Sequence, residues 1–388
     1  MFIICFLLLF GVTLQSVSNK TKTKLNTIFF MNKHFLLVIA VLFLTATSVF
    51  GQKNTEKVKS GYEVSCIAFY NLENLFDTID DPITNDQEFL PEGGYHWNTV
   101  KYRNKQHNMA YAISKMCERA ESSNYLAHLA VLGVSEVENR AVLEDLVAQP
   151  EIAKYNFQII HKESPDRRGI DVGLLYNPRY FQPTKSRWVP FEMPERPDFK
   201  TRDQLVVSGY LLPFNEKIHV IVNHWPSRYG GEEASRPNRA QAARITMSIC
   251  DSIYARDPKA KIIIMGDLND DPINVPCAEI LNAKKDKKDV EPQGLYNTMW
   301  KHYADGNGTL MYQGSWNLFD QIIISGNLAN ANREVELTYW TSEVFNAPFL
   351  TEQTGKSKGG PLRTTSGGVW TNGYSDHFPT MIFVFKKR

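Results

Sequence analysis

A carboxylate and an amide stand two residues apart directly after an apolar run, in the sequence Ile-Ile-Ile-Met-Gly-Asp-Leu-Asn. The run at residues 262–265 is typical of a buried strand, and Gly266 allows a turn where that strand ends. Asp267 and Asn269 would then project from the same side of the chain. Ligands of open α/β proteins bind at the carboxyl ends of strands, so the pair is a candidate functional site. The structural alternative is a turn that only ends a core strand.

Polar side chains recur where other apolar runs begin or end, namely Asn71, Glu136, His224, Asp320 and the pair Asp376-His377. Taken singly, each has a structural explanation. A glutamate such as Glu136 often starts a helix, and a histidine at a strand end is often a satisfied core residue. Taken together, they indicate one site that several loops build on a rigid α/β scaffold.

The residue types in this set favour a hard metal ion and acid–base chemistry. Carboxylate and amide oxygens suit Mg²⁺, Mn²⁺ or Ca²⁺. Two histidines beside aspartates can transfer protons or stabilise an anion. Zinc is not expected, because the four cysteines after residue 51 are widely spaced and form no CxxC pattern. They are predicted to be buried or free thiols: Cys66, Cys117, Cys250 and Cys277. One or two disulfides among them stay open, since sequence cannot pair them.

The elements that must hold these residues alternate between helices and strands, which predicts an α/β fold. Helical spacing of apolar residues predicts helices at 99–120, 140–148 and 240–254. Apolar runs predict strands at 64–70, 129–134, 157–161, 205–212, 217–223, 262–265, 320–325 and 380–385. Residues 78–98 are predicted to form a long surface loop, and the Gly/Ser/Thr-rich residues 354–373 a flexible one.

Length and composition are those of a globular protein with a large core, since the 388 residues are 43% hydrophobic and 22% charged. No repeat or low-complexity linker interrupts residues 60–388, which favours a single domain there. The first 51 residues hold four of the 43 basic residues and no acidic one, so 39 basic and 42 acidic residues remain. A net charge near −3 argues against general charge-driven coating of nucleic acid, although local arginines could still bind phosphates.

The N-terminal 51 residues have the pattern of a leader. Residues 31–51 contain a lysine-bearing start, an apolar segment at 35–46 and a small-residue exit. This layout predicts a signal peptide cleaved near Gly51, with Met31 as a candidate true start and export to the periplasm or the medium. The apolar segment is shorter than the roughly 20 residues of a membrane-spanning helix, so no stable membrane insertion is expected after processing. An uncleaved membrane anchor is the alternative.

Six blocks, in order over residues 66–385, resemble the endonuclease/exonuclease/phosphatase superfamily of deoxyribonucleases, repair nucleases, inositol polyphosphate phosphatases and sphingomyelinases. They are Asn71 in Phe-Tyr-Asn-Leu-Glu-Asn, Glu136 in Ser-Glu-Val-Glu-Asn, His224 in Asn-His-Trp-Pro-Ser, Gly266-Asp267-Leu268-Asn269, Asp320 in Phe-Asp-Gln-Ile-Ile, and Ser375-Asp376-His377-Phe378-Pro379. The resemblance implies a four-layered α/β/β/α sandwich with two mixed, mostly antiparallel sheets. Residues 60–388 would then form its catalytic domain.

The resemblance also implies how a phosphoester would be bound and attacked. Glu136, supported by Asn71, would be the main ligand of a Mg²⁺ ion, and Asp376 would complete the metal shell. Asp267 would orient or deprotonate the attacking water, while Asn269 would position that water and bond a phosphoryl oxygen.

The remaining roles implied by the resemblance concern the developing charge. His377, held by Asp320, would stabilise the phosphorane as an imidazolium or act as a base. His224 would contact the phosphate and assist the leaving oxygen. Arginines near these blocks are candidate phosphate-binding groups: Arg168, Arg228 and Arg239. A solvated turn is the alternative explanation for Arg168.

Two departures from the family pattern bear on the substrate. Ser135 stands where many members have a glutamine, and His-Trp-Pro-Ser replaces a commoner His-Leu-x-Ser. The prediction is an exported, monomeric, metal-dependent phosphodiesterase, foremost a nuclease acting on DNA or RNA. The alternative enzyme is a phosphatase or phospholipase-C-type hydrolase of a phosphorylated small molecule or lipid head group. A third reading, a binding module without catalysis, fits poorly because all the catalytic residue types are present.

Overall fold

The computed structural model describes residues 61–122, 125–212 and 214–388. The predicted signal peptide lies outside the described residues. The described helices are α1 Thr99–Ala120, α2 Arg140–Val147, α3 Pro150–Ala153, α4 Glu232–Tyr254, α5 Trp300–Ala304 and α6 Gly326–Ala329. Single 3₁₀ turns lie at Gln87–Phe89, Lys287–Asp289 and Pro348–Leu350, and a π-helical turn lies at Pro276–Ile280. None of the described helices is long and apolar enough to cross a membrane.

The described strands number seventeen. They are β1 Tyr62–Leu75, β2 His128–Val137, β3 Gln158–His161, β4 Asp171–Tyr176, β5 Phe181–Val189, β6 Gln204–Leu211, β7 Glu216–His224, β8 Lys261–Asp267, β9 Ala283–Lys284, β10 Leu295–Asn297, β11 Leu310–Tyr312, β12 Ser315–Asn317, β13 Asp320–Ser325, β14 Thr338–Val344, β15 Thr365–Ser366, β16 Val369–Trp370 and β17 Thr380–Lys387.

Most of these strands belong to two mixed sheets. The first has six strands in the order β14-β17-β1-β2-β4-β3, and only β1 and β2 run parallel. The second has seven strands in the order β5-β6-β7-β8-β13-β10-β9, with parallel pairs β7/β8 and β9/β10. The prediction of two mixed, mostly antiparallel sheets is confirmed.

Burial on both faces of each sheet produces four layers. In β8, Ile262 and Ile264 pack with α4 in one apolar cluster, while Ile263 and Met265 pack in the core that includes β1 and β2. Since successive side chains of a strand point to opposite faces, this alternation explains why the β8 run contains no polar residue. Helices α1 and α2 cover the other sheet through contacts with β1, β2 and β3. The four-layered sandwich is therefore confirmed.

The sheet register places the candidate residues at one edge. Strands β7 and β8 end together, with His224 opposite Asp267. Strand β13 begins there, with Asp320 opposite Asp267. In the other sheet, the end of β1 lies beside the end of β2, with Asn71 opposite Ser135. The strand ends of both sheets thus deliver polar residues to a shared site.

Three local predictions differ from the structure. Strands β5 and β14 were not predicted, because these edge strands are half-exposed and lack an apolar run. Helix α4 begins at Glu232, eight residues before its predicted start, and Pro237 lies inside it. The segment predicted as a flexible loop contains the β15–β16 hairpin, whose Trp370 packs edge-to-face on Trp97 at 5.5 Å between ring centroids. The four described cysteines are buried free thiols, as predicted.

Candidate active site

Asp267 lies at the centre of the site, at the end of β8 with 2% of its surface exposed. Its Oδ2 accepts a hydrogen bond from Asn71 Nδ2 at 3.0 Å, and its Oδ1 accepts the backbone N–H of Asn269 at 2.9 Å. A Cβ at Gly266 would lie 2.1 Å from the Asn223 carbonyl oxygen, so glycine is required where β8 approaches β7. Burial raises the pKa of Asp267 to about 7.

His224 faces this carboxylate from the end of β7. Its Nε2 lies 3.6 Å from Asp267 Oδ2 and 3.8 Å from Glu136 Oε1. Burial, with the positive charges of Arg202 and Arg168, lowers the pKa of His224 well below its usual value. The imidazole is therefore neutral at physiological pH.

His377 faces the same carboxylate from the segment before β17. Its Nε2 lies 3.8 Å from Asp267 Oδ2, and its Nδ1 lies 2.6 Å from Asp320 Oδ2. Burial lowers the pKa of His377, but the carboxylates of Asp320, Asp376 and Asp267 outweigh burial and raise that pKa well above its usual value. The described site thus places one charged and one neutral imidazole beside the same aspartate.

Glu136 adopts a left-handed backbone conformation, with φ of 59°. Such a conformation is costly for a residue other than glycine and is common at functional sites. The backbone N–H of Asn74 donates to its Oε2 at 2.9 Å, so the other oxygen remains directed toward His224. Both Glu136 and Asn71 therefore occupy the site, as predicted from their strand-end positions.

Sequence comparison decides the family. The Endonuclease/Exonuclease/phosphatase family profile matches residues 66–386. The chain belongs to this family. It is therefore a phosphoesterase by family, and the resemblance found in the sequence motifs is confirmed. No curated protein sequence matches the chain.

Solved structures are similar to this chain at low sequence identity. A humanised TDP2 of D. rerio has a TM-score of 0.50 at 13% identity, covering 83% of this chain and 98% of its own. An endonuclease/exonuclease/phosphatase family protein of Bacteroides thetaiotaomicron has a TM-score of 0.49 at 13% identity, covering 84% of this chain and 99% of its own. A mannosyl-6-phosphatase from the same species has a TM-score of 0.49 at 14% identity, covering 82% and 99%.

The site around Asp267, called the family site below, contains donors that fit a divalent metal ion. Ligand atoms of Glu136, His224 and Asp267 lie within 4.8 Å of one another, and the same holds for Asp267, Asp320 and His377. The buried carboxylates repel each other, and a bound cation would relieve that repulsion. Asp376, predicted as a metal ligand, lies at the edge of this group, with its Oδ1 3.8 Å from His377 Nε2.

The three predicted phosphate-binding arginines have different positions. Arg168 is exposed beside the site, where its guanidinium donates to Asn74 Oδ1. Arg228 lies behind the site, donating to the carbonyl oxygen of Asn269 at 2.9 Å and stacking over Phe319 at 4.4 Å. Its contacts hold the loop that carries Asn269.

Arg239 does not reach the family site. Its side chain is fully buried on α4, with Nε 2.8 Å from Asp270 Oδ1 and with guanidinium donors on Ser235 Oγ and the Glu232 carbonyl oxygen. The prediction of a phosphate contact for Arg239 is wrong, because the helix predicted from residue 240 begins at Glu232 and Arg239 is fully buried within it. The arginine consequently faces the interior.

Four charged residues beside the family site were not predicted: Glu73, Lys105, Arg202 and Arg363. Arg202 donates to the carbonyl oxygens of His224 and Trp225 at 3.2 and 2.7 Å, and so holds the loop after β7. A signal existed for Lys105, since it stands at helical spacing between Tyr102 and Met109 on the buried face of α1. No sequence pattern distinguished Arg202 and Arg363 from surface arginines.

Proposed function

We propose that this phosphoesterase is a divalent-metal-dependent phosphodiesterase that hydrolyses DNA or RNA. The observation that carries the proposal is the geometry around Asp267: the Nε2 atoms of His377 and His224 lie 3.8 and 3.6 Å from its Oδ2, nearby carboxylates raise the pKa of His377, and burial lowers the pKa of His224. A phosphoryl group entering between the two rings would meet a cation, a neutral donor and a general base. Those three groups serve in-line displacement at phosphorus.

Asp267 takes the proton of the attacking water in this scheme, and Asn71 holds the aspartate carboxylate in position. The water oxygen forms a bond to phosphorus as the bond to the leaving oxygen breaks. His377, kept cationic by Asp320, stabilises the charge that grows on the non-bridging oxygens. The Nε2–H of neutral His224 donates a hydrogen bond to the leaving oxygen, which departs as an anion and takes its proton from solvent.

Glu136, with Asn71 and Asp376, would hold Mg²⁺, Mn²⁺ or Ca²⁺ beside the scissile phosphate. The metal supplies positive charge to the phosphoryl oxygens when it is bound. The amide oxygen of Asn71 already accepts the N–H of Glu73 at 2.9 Å, which leaves its second lone pair for a ligand. Hard oxygen donors of this kind match these three ions.

Fixed charges of both signs surround the reacting position. The carboxylates are Glu73, Glu136, Asp267, Asp320 and Asp376, and the cations are Arg168, Lys105, Arg202, Arg363 and His377. The distinction between a diester and a monoester therefore rests on the substrate assay below. Export to the periplasm or the medium is part of the proposal and is supported by the signal-peptide pattern at residues 31–51.

The test assays the purified full-length chain with Mg²⁺ on plasmid DNA, RNA, bis-p-nitrophenyl phosphate, p-nitrophenyl phosphate and sphingomyelin. We expect cleavage of the nucleic acids and of the chromogenic diester, and its loss in Asp267→Asn and in excess chelator. Hydrolysis confined to the monoester would replace the nuclease by a phosphatase, and hydrolysis of sphingomyelin alone would indicate a phospholipase-C-type enzyme. Diester cleavage that survives in excess chelator would refute metal dependence.

A further inference from the structure

The segment at residues 361–376 is held against β1 and α1 by buried charged groups. Glu73 Oε2 accepts the backbone N–H of Thr364 at 2.6 Å. Lys105 Nζ donates to Thr364 Oγ1 at 2.6 Å and to the Tyr374 carbonyl oxygen at 2.5 Å. Both Glu73 and Lys105 are buried. The segment that carries Asp376 therefore has a fixed attachment to the scaffold.

Close backbone packing fixes the position of Arg363 in this segment. A Cβ at Gly373 would lie 2.2 Å from the Arg363 carbonyl oxygen, so only glycine permits the approach of the two strands of chain. Asn108 Nδ2 on α1 donates to the carbonyl oxygens of Asn372 and Gly373, both at 2.9 Å. These contacts present the Arg363 side chain beside the active site from a rigid backbone.

The carboxylate of Asp376 lies between the guanidinium of Arg363 and the charged imidazole of His377. Its Nη2 is 2.8 Å from Asp376 Oδ2, and its Nε is 3.5 Å from Glu73 Oε1. The other oxygen of Asp376 is 3.8 Å from His377 Nε2. The Arg363 side chain is 43% exposed, so part of its fork of donors faces solvent.

We propose that Arg363 forms a second anion-binding subsite, which takes the phosphate next to the scissile one in a nucleic-acid strand. Guanidinium forks bind phosphate oxygens in pairs, and half-exposed ion pairs are weak enough to rearrange. A phosphate arriving beside Asp376 would engage the free donors of Arg363 while the scissile phosphate meets His377. This subsite rests on the proposed nuclease function, and it makes a polynucleotide a better substrate than an isolated diester.

The first experiment compares wild type, Arg363→Ala and Arg363→Lys on two substrates with Mg²⁺. One is a short single-stranded oligonucleotide, and the other is bis-p-nitrophenyl phosphate, which has only the scissile phosphate. We expect Arg363→Ala to raise KM for the oligonucleotide about tenfold, the effect of about 1.4 kcal/mol. The loss of kcat/KM for the chromogenic diester, which has no second phosphate, reports only the released Asp376 and should be several-fold smaller than the loss for the oligonucleotide, and the lysine variant should recover part of the oligonucleotide loss.

Arg179→Ala is the matched control, because this exposed arginine follows β4 at the opposite edge of the sheet. It should leave both substrates unaffected. Equal losses on both substrates in Arg363→Ala would overturn the subsite, since they would show that Arg363 acts only by positioning Asp376. An unchanged KM for the oligonucleotide would overturn it as well.

A binding measurement separates this inference from the proposed chemistry. Fluorescence anisotropy of a labelled oligonucleotide is recorded with Asp267→Asn and with the Asp267→Asn/Arg363→Ala double variant, so that no turnover interferes. We expect about tenfold weaker binding by the double variant. Equal binding would overturn the subsite. A wild-type protein that binds the oligonucleotide through Arg363 but cleaves no diester would support the subsite and refute the nuclease function.

Discussion

The Nδ1 atom of His377 lies 2.6 Å from Asp320 Oδ2, and both side chains are buried. The other active-site histidine, His224, has a different environment. Its Nδ1 is buried and has no hydrogen-bond partner among the described residues. A carboxylate partner favours the imidazolium, whereas burial without one favours the neutral ring. The opposite charges of the two rings therefore follow from their surroundings: Asp320 is the carboxylate that raises the pKa of His377 most, and burial is the main cause that lowers the pKa of His224.

Replacing Asp320 by asparagine tests this assignment. The variant should keep the hydrogen bond to His377 but lose the charge, so the pKa of His377 should fall. Because the wild-type pKa is raised, the imidazolium persists above neutral pH and is lost only as pH rises through that value. We expect kcat to fall by about 10²–10⁴-fold at neutral pH, with the alkaline limb of the pH profile at lower pH. Asp289→Asn, an exposed aspartate, is the control. An unchanged alkaline limb would refute the role of the pair.

Glu138 provides a test of stability against pH. Burial raises its pKa to about 8, and the negative charges of Asp77, Asp86 and Asp81 act in the same direction. The folded protein thus binds this proton more tightly than the unfolded chain does. The stabilisation is complete below the ordinary pKa of a glutamate and is lost as pH rises toward 8.

Glu138→Gln should therefore increase the free energy of unfolding at pH 9. The expected gain is at least about 1.4 kcal/mol, the equivalent of one pKa unit. The gain should shrink at pH 4, where the wild-type carboxyl is protonated in the folded state and mostly protonated in the unfolded chain. Urea denaturation of both proteins at the two pH values measures the effect. Equal stability at pH 9 would show that the ionised form of Glu138 is tolerated.

Arg239 should contribute to stability and not to catalysis. Arg239→Met leaves the buried carboxylate of Asp270 without its 2.8 Å partner, so we expect a loss of about 3–5 kcal/mol in unfolding free energy. At a temperature where the variant is folded, its KM should equal that of wild type. Arg236→Ala on the same helix, whose side chain is 37% exposed, should change neither quantity. A raised KM with unchanged stability would restore the phosphate-binding role predicted from sequence.

Strands that are buried on both faces could be predicted from the sequence. Half-exposed strands and contacts between residues far apart in the chain could not. The central strand β8 and the polar residues at its end were predictable, because both of its faces are buried and the run is continuously apolar. The edge strand β5 was not, since one side of it meets solvent. The helix predicted to start at residue 240 begins at Glu232, and that error placed Arg239 ahead of the helix instead of inside it. Contacts such as Lys105 with Thr364, 259 residues apart, leave no local pattern.

Lys105 allows the attachment of the 361–376 segment to be tested. Burial lowers the pKa of Lys105 to about 8, and burial raises the pKa of Glu73 to about 7, with Asp376 acting in the same direction. Lys105→Met removes the donors to Thr364 and Tyr374 and one of the two cations near the buried Glu73, the other being Arg363 at 3.5 Å. We expect faster backbone hydrogen exchange at residues 361–376 and lower stability, by about 3–5 kcal/mol.

The double variant Lys105→Met/Glu73→Gln separates a charge imbalance from lost packing. Removing both charges leaves no uncompensated buried carboxylate at Glu73, so the double variant should be more stable than Lys105→Met alone. Lys115→Met, a partly exposed lysine on the same helix, should leave the exchange of the segment unchanged. If the double variant lost as much stability as the two single changes together, Lys105 would act through its hydrogen bonds to the segment and not through the charge of Glu73.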